Sequence, residues 1–294
     1  MIRYSIIIPH HNVPILLERC VNSIPQRDDI QIIIVDDNSD GNDSYLEKYS
    51  FLKRDNLLFI PTKEGKGAGF ARNVGLTKAE GEWLVFADSD DFFTDDCLKL
   101  MDQHCNSYAD VVYFNIKSVF SDDITKEGNR DAAKQKLFDD YKLSQNENIF
   151  RLDYPEPWGK MVKHRLVKEY KIKFDETRVA NDYFFSTQVG CLAKTIEIVD
   201  EQLYVVTVRR GSLSFGYGDT VEKLLIRLDV GIRVYHFRKK HGYSVTPMPI
   251  RGQMVLLLKH YPLVFLKELF VLPFRGVPVL SLILQIFSKK YWKK

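Results

Sequence analysis

Four short apolar runs, each stopped by a polar residue or cluster, restrict the folds open to this chain more than any other feature. They are Tyr4-Ser5-Ile6-Ile7-Ile8 before Pro9, Gln31-Ile32-Ile33-Ile34-Val35 before Asp36-Asp37-Asn38, Leu57 to Ile60, and Trp83-Leu84-Val85-Phe86-Ala87 before Asp88-Ser89-Asp90-Asp91. Runs this short and this uniformly apolar fit strands buried on both faces. Between the first two, Ile15, Leu16, Cys20, Val21 and Ile24 share one helical face over Val13 to Ile24. Further helices are expected over Asp43 to Tyr49 and Ala71 to Lys78, the second entered through the flexible loop Gly65-Lys66-Gly67-Ala68-Gly69. Strands alternating with helices imply βαβ units, so the expected fold is α/β, a Rossmann-like and mainly parallel sheet flanked by helices.

The later chain is less regular. A helix is expected over Asp95 to Ser107 and a strand over Asp110 to Lys117, followed by the charged, weakly periodic Ser121 to Asn148, which reads as a variable insertion. Helices over His164 to Tyr170 and Asn181 to Leu192 then precede strands over Thr195 to Asp200 and Tyr204 to Arg209. From about Asp219 the pattern is helical. Residues 1–215 are therefore expected to form the α/β domain and residues 216–294 a C-terminal helical extension.

Composition removes several function classes. With 45% hydrophobic and 28% charged residues the chain is of a folded type. A net charge of +3 gives no support for nucleic acid as a partner. The P-loop pattern is missing. Cys20, Cys97, Cys105 and Cys191 show neither C-x-x-C nor zinc-ligand spacing and read as reduced, buried thiols of a cytoplasmic protein. The segment after Arg3 is too short for a signal-peptide core. No stretch reaches the roughly 18 to 20 apolar residues of a membrane-spanning helix. The nearest, Val277 to Phe287, is interrupted by Pro278 and Gln285. Leu256 to Lys294 instead mixes apolar runs with single cations and ends in Lys289-Lys290-Tyr291-Trp292-Lys293-Lys294. Such a segment either lies in a membrane interface or packs on the catalytic domain; the first would place the protein peripherally on the inner face of the cell membrane.

In parallel sheets, ligands bind beyond the carboxyl ends of the strands. Three such ends carry ligand-type groups: His10-His11-Asn12, Asp36-Asp37-Asn38 and Asp88-Ser89-Asp90-Asp91. At a turn, Asp88 and Asp90 can converge on one hard cation, Mn²⁺ or Mg²⁺, which keeps positions open for phosphate oxygens. Taken alone, the triplet better describes a cap on the following helix, supplied by Asp91 or Asp95.

Ser5-Ile6-Ile7-Ile8-Pro9-His10-His11-Asn12, Ile34-Val35-Asp36-Asp37-Asn38-Ser39, Ala71-Arg72-Asn73-Val74-Gly75 and Phe86-Ala87-Asp88-Ser89-Asp90-Asp91 stand in the order and spacing of one family. In these motifs the chain resembles the GT-A fold family 2 glycosyltransferases, inverting and usually bacterial enzymes. The likeness is close over about residues 3 to 115 and looser through Pro157-Trp158-Gly159-Lys160, Ala180-Asn181-Asp182-Tyr183 and Arg209-Arg210-Gly211-Ser212. The resemblance implies a nucleotide-sugar donor, most often a UDP-sugar, and a saccharide or polyprenyl-linked saccharide acceptor. It implies that Pro9, His11, Asp36 and Asp37 line the nucleoside pocket and that Arg72 faces base or diphosphate. It makes Asp88 and Ser89 donor contacts, with Asp90 and Asp88 on the metal. The family commonly carries Tyr where His11 stands; an imidazole can also stack on a base.

Inverting transfer requires a general base on the face opposite the leaving diphosphate. Asp182 fits, at a helix start where the family carries Glu-Asp and this chain carries Asn181-Asp182. The alternative is that Asp182 only favours the positive end of its helix. Trp158 and Lys160 match the family's Trp-x-Lys element, Trp158 being either a wall for a sugar ring or core. Arg209 and Arg210 either clamp diphosphate or sit in an exposed hairpin with solvated charges. Two other functions remain open at this level. A sugar nucleotidyltransferase would carry a Gly-rich phosphate loop after the first strand, where Pro9-His10-His11 stands. A non-catalytic sugar-binding protein would bind donor without turnover.

Overall fold

The structure, a computed structural model, describes residues 1–41, 44–209 and 220–288. Eight strands form one mixed sheet: β1 (Tyr4–His10), β2 (Ile30–Asp37), β3 (Leu57–Thr62), β4 (Trp83–Phe86), β5 (Phe92–Phe93), β6 (Val111–Phe120), β7 (Lys160–Lys163) and β8 (Ile196–Val208), in the order β3-β2-β1-β4-β7-β6-β8-β5. The four strands read first pair in parallel. Every residue of β1 is buried, as expected for a strand with neighbours on both edges and layers on both faces.

Register explains why the polar clusters meet. Ile7 lies opposite Ile33 and Phe86, and His10 opposite Asp36. The ends of β1, β2 and β4 therefore reach one edge of the sheet together. The helix Ala68–Lys78 packs across β1 and β2, and its first turn faces that edge. Gly67 (φ 92°) supplies the left-handed conformation of the turn into this helix. At Gly69 a Cβ would sit 1.9 Å from the Asp175 carbonyl oxygen and 3.0 Å from Asn181 Cβ. Only glycine lets the helix approach the segment carrying Asp182 so closely.

Several elements differ from the sequence expectation, the unexpected strand β7 and helix Asn148–Asp153 among them. The two strands expected over 195–200 and 204–209 are the single strand β8. Its pairing with β6 shifts register around Asn115, so Phe114 faces Val199 while Ile116 faces Tyr204. The irregularity breaks the alternation that sequence reasoning depends on. The segment 121–148 is no mere insertion: it contains the helix Ala132–Ser144, whose Phe138 is buried and packs edge-on against Phe150 at 4.7 Å. A helix with one fully buried aromatic among charges carries a weak periodic signal. The short strand β5 was not expected at all; it returns the chain after Asp91 to pair antiparallel with β8.

The predicted boundary at 215/216 lies outside the described residues. Beyond it, helices Val221–Lys240, Arg251–His260, Pro262–Val271 and Val279–Phe287 build a second apolar cluster around Leu228, Ile232, Met254, Leu257, Leu272 and Leu282. Val221–Lys240 begins with the Thr220 hydroxyl accepting from the Lys223 amide and joins the sheet domain through Arg233, ion-paired to Asp175 at 2.6 Å. Among the described residues no helix is long and apolar enough to cross a membrane. All four cysteines are buried and free.

Phe138→Ala is expected to lower unfolding free energy by about 3–5 kcal/mol, the usual cost of emptying a fully buried aromatic site. Urea unfolding checks this; a change below about 0.5 kcal/mol would mean that the segment is dispensable.

Candidate active site

The carboxyl edge of the parallel strands opens into a cavity of about 800 Å³. Pro9, His11, Asp37, Arg72, Asp88, Ser89, Asp90, Asp182 and Arg209 all line it, although they come from six separate stretches of chain. Arg210 lies outside the described residues. Asp36, Trp158 and Lys160 do not line the cavity, and each has a different physical reason.

Asp36 is fully buried, and its Oδ1 accepts the Ser39 amide at 2.8 Å. It shapes the turn after β2, the Asx-turn arrangement open to this residue type. Trp158 is buried and stacks on Tyr204, ring centroids 5.8 Å apart. It is a core residue that supports the site indirectly, because the Tyr204 hydroxyl accepts the Asp88 amide at 2.8 Å. Lys160 is 1% exposed and donates to the Tyr154 carbonyl at 3.0 Å, with the Tyr154 and Tyr113 rings at 4.7 and 5.1 Å. Burial lowers its pKa to about 7, against the opposing pull of Glu156. It sits beneath the cavity and not on its surface.

His11 is exposed at the cavity wall, its Nδ1 within 3.0 Å of the Asp37 carbonyl oxygen. That contact fixes the ring while leaving its face open to stacking. Next to it, His10 is buried and its pKa is lowered to about 4 by that burial, with Asp36 opposing. It is neutral at physiological pH. The Asp37 carboxylate accepts the Lys66 amide at 3.1 Å and the Gly67 amide at 2.5 Å. Asp37 thus ties the end of β2 to the glycine loop, and it still borders the cavity.

Arg72 organises the opposite wall. Its guanidinium is buried and forks, Nη2 to Asp88 Oδ1 at 2.6 Å and Nη1 to Asn181 Oδ1 at 3.0 Å. It also lies over the Phe174 ring at 5.3 Å. The fork joins the end of β4 to the residue before Asp182, its Asn181 arm spanning 109 positions of sequence. Asn181 therefore has a defined place, which the motif departure alone could not supply.

The acidic turn divides its work. Asp88 is held by Arg72, and Asp90 lies 3.6 Å from Arg209. Asp90 has a raised pKa because of burial and then the nearby Asp88, opposed by Arg209 and Arg130. Asp91 caps no helix: it is buried, accepts the Thr207 amide at 2.7 Å and so pins the turn to β8. Its carboxyl is pushed well above the ordinary range by burial first and then by Asp90 and Asp88. Among the described residues no three His, Cys, Asp or Glu side chains gather into a closed metal cage. Two hard carboxylates at one turn nevertheless suit a divalent ion that takes its other ligands from water and phosphate.

Asp182 stands at the start of helix Tyr183–Leu192, yet its side chain makes no capping hydrogen bond. Its carboxyl borders the cavity, half-buried, and burial raises its pKa to about 6, with Glu156 and Asp88 adding and Arg72 opposing. Three more arginines, Arg130, Arg178 and Arg227, also border the cavity. Sequence reasoning missed them because no motif marks them. Arg130 lies in the segment read as an insertion, held by a bond from Nη1 to the Thr207 carbonyl at 2.8 Å.

With that geometry in place, comparison with known proteins is informative. Residues 5–170, more than half of the chain, match the profile of "Glycosyl transferase family 2". The glycosyltransferase GlyA of Streptococcus pneumoniae is 27% identical over 225 residues, 72% of this chain and 31% of that protein. TarS of Staphylococcus aureus, a poly(ribitol-phosphate) beta-N-acetylglucosaminyltransferase, is 26% identical over 71% of this chain and 36% of its own length. The chain thus spans about a third of the length of these two relatives. The crystal structure of TarS residues 1–349 with UDP-GlcNAc superposes with a TM-score of 0.65 at 23% identity, covering 88% of this chain and 73% of that one. A mannosyltransferase from Pyrobaculum calidifontis, solved with GDP-Man and Mn²⁺, gives 0.54 at 16% identity over 98% and 88%. The fold is the GT-A type that the motifs resembled.

Arg72→Met is expected to cost about 1–3 kcal/mol, since it leaves Asp88 and Asn181 without their shared donor. Arg72→Lys should recover less than half of this, because one ammonium cannot reproduce the fork. Urea unfolding of both variants measures it; full recovery by lysine would reduce Arg72 to a point charge.

Proposed function

The chain belongs to glycosyl transferase family 2, and on that premise we propose that it transfers a sugar, with inversion, from a nucleotide-sugar donor to a hydroxyl of a saccharide or polyprenyl-linked saccharide. A UDP-sugar is the favoured donor, in keeping with the relative solved with UDP-GlcNAc. Cell-surface polysaccharide synthesis is the setting that the relatives' names suggest.

One observation carries this reading. A half-buried carboxyl that caps nothing, Asp182, borders the same cavity as the Asp88–Asp90 turn and a set of arginines. In the proposed reaction Asp182 accepts the proton of the acceptor hydroxyl. The freed oxygen forms a bond to the anomeric carbon as the bond from that carbon to the diphosphate oxygen breaks. The electron pair leaves with the nucleoside diphosphate. Arg209 and Arg130, near Asp90, would face the charge that develops on the diphosphate. Arg72 would hold Asp88 and, through Asn181, set the position of Asp182. His11 would stack on the base. Asp90 and Asp88 would hold Mn²⁺ or Mg²⁺; when bound, such an ion neutralises diphosphate charge as a Lewis acid.

Asp182→Asn is expected to lower kcat by about 10²–10⁴-fold, the range for losing a general base. Its UDP affinity should change by less than about threefold, because the base works on the acceptor side. The wild-type kcat/KM for acceptor should rise with pH and level off above about 6, since the active form of a base is deprotonated and Asp182 titrates there. The variant should lack this limb. Loss of UDP binding together with transfer would assign Asp182 to the donor pocket.

A further inference from the structure

The helices Pro262–Val271 and Val279–Phe287 are apolar on two faces. One face of each is used by the fold: Phe265 of the first and Leu282 and Ile286 of the second are buried in the second cluster. The other face is not. Leu263, Leu266 and Phe270 follow one another at spacings of three and four residues along the first helix, Phe274 follows in the 3-10 turn Leu272–Arg275, and all four are 58–81% exposed. Leu280, Leu284 and Phe287, at spacings of four and three, are 64–74% exposed. Helical spacing brings each set onto one stripe. Isolated exposed apolar residues are ordinary; two such stripes on elements of one small subdomain are not.

Charge is segregated in the same region. Residues 251–294 hold eight Lys or Arg against the single acid Glu268, a net of +7, while the whole chain is only +3, so residues 1–250 are net −4. Four of these cations, at 289, 290, 293 and 294, belong to the part of the sequence outside the described residues.

We propose that this face seats the protein on an anionic lipid bilayer, with the two helices lying in the plane of the interface. Length fits: helices of ten and nine residues run about 15 Å, half of what crossing requires. Charge fits as well, because each Lys or Arg near an anionic surface adds attraction of about 1 kcal/mol. A second copy of the chain is the poorer occupant, since a symmetric contact would bring together two copies of a sequence segment of net charge +7. The proposal is independent of the transferase reading: it requires neither donor nor turnover.

Flotation of the full chain with vesicles tests it. Recovery with vesicles containing about one-third phosphatidylglycerol should exceed recovery with pure phosphatidylcholine about tenfold, and should fall as salt rises from about 0.1 to about 0.5 M. The triple variant Phe270→Ser/Phe274→Ser/Leu284→Ser should lose about tenfold in vesicle recovery, with its thermal unfolding unchanged because these side chains are exposed. Equal recovery with both vesicle types, or no effect of the triple variant, would overturn the proposal. So would absence of vesicle binding by a wild-type dimer that the triple variant converts to monomer, which would make the face a self-interface.

Discussion

A single buried guanidinium holds the site together. Arg72 leaves a helix that packs on β1 and β2, reaches Asp88 with one arm and Asn181 with the other, and rests on Phe174. An arginine this deeply placed is costly unless its donors are met; here both terminal nitrogens find partners from distant parts of the chain, while Nε is buried without one among the described residues. The acidic turn and the segment carrying Asp182 therefore have a defined relation. Gly69 makes the same junction sterically possible, since the Asp175 carbonyl occupies the space a side chain would need. These two contacts and the helix that Asp182 heads, whose Ser186 amide its carbonyl accepts at 2.9 Å, together set its place at the cavity, while its carboxyl caps nothing.

The charges around the cavity can be understood from the same arrangement. Asp88, Asp90 and the buried Asp91 crowd one turn, and burial together with mutual repulsion raises Asp90 and Asp91 above the ordinary carboxylate range. The arginines offset this field only in part. A site built this way has room for both a cation and an anion, the two components of a metal-bound diphosphate. Beneath it lie Lys160 and the Lys134–Glu156 pair, 2.6 Å apart, and the half-buried Glu156 helps to raise the Asp182 pKa.

The parallel half of the sheet was legible in the sequence because strands buried on both faces are written as continuous apolar runs. Its carboxyl edge was legible for the same reason, since each run ends in its polar cluster. What the sequence could not give was direction of burial. Trp158 is amphipathic enough to be a sugar platform or core, and only its stack on Tyr204 decides its place. Asp36 and Asp37 are neighbours in one turn, yet alternation turns the first inward to Ser39 and the second to the glycine loop. Lys160, a cation in a short strand, is drawn inward by two tyrosine rings and a carbonyl. The irregular β6–β8 pairing and the lone buried Phe138 hid a long strand and a packed helix. With the helix, Arg130 was lost to view.

The central claim is that the Asp88–Asp90 edge of the sheet is the diphosphate end of a nucleotide-sugar site. Calorimetric titration of UDP tests it most directly, with Mn²⁺ and with EDTA, on the wild-type protein and on Asp90→Ala. The account predicts one UDP site that requires the metal and is lost in the variant. Absence of UDP, GDP and dTDP binding in every condition, or UDP binding indifferent to both EDTA and the substitution, would contradict it.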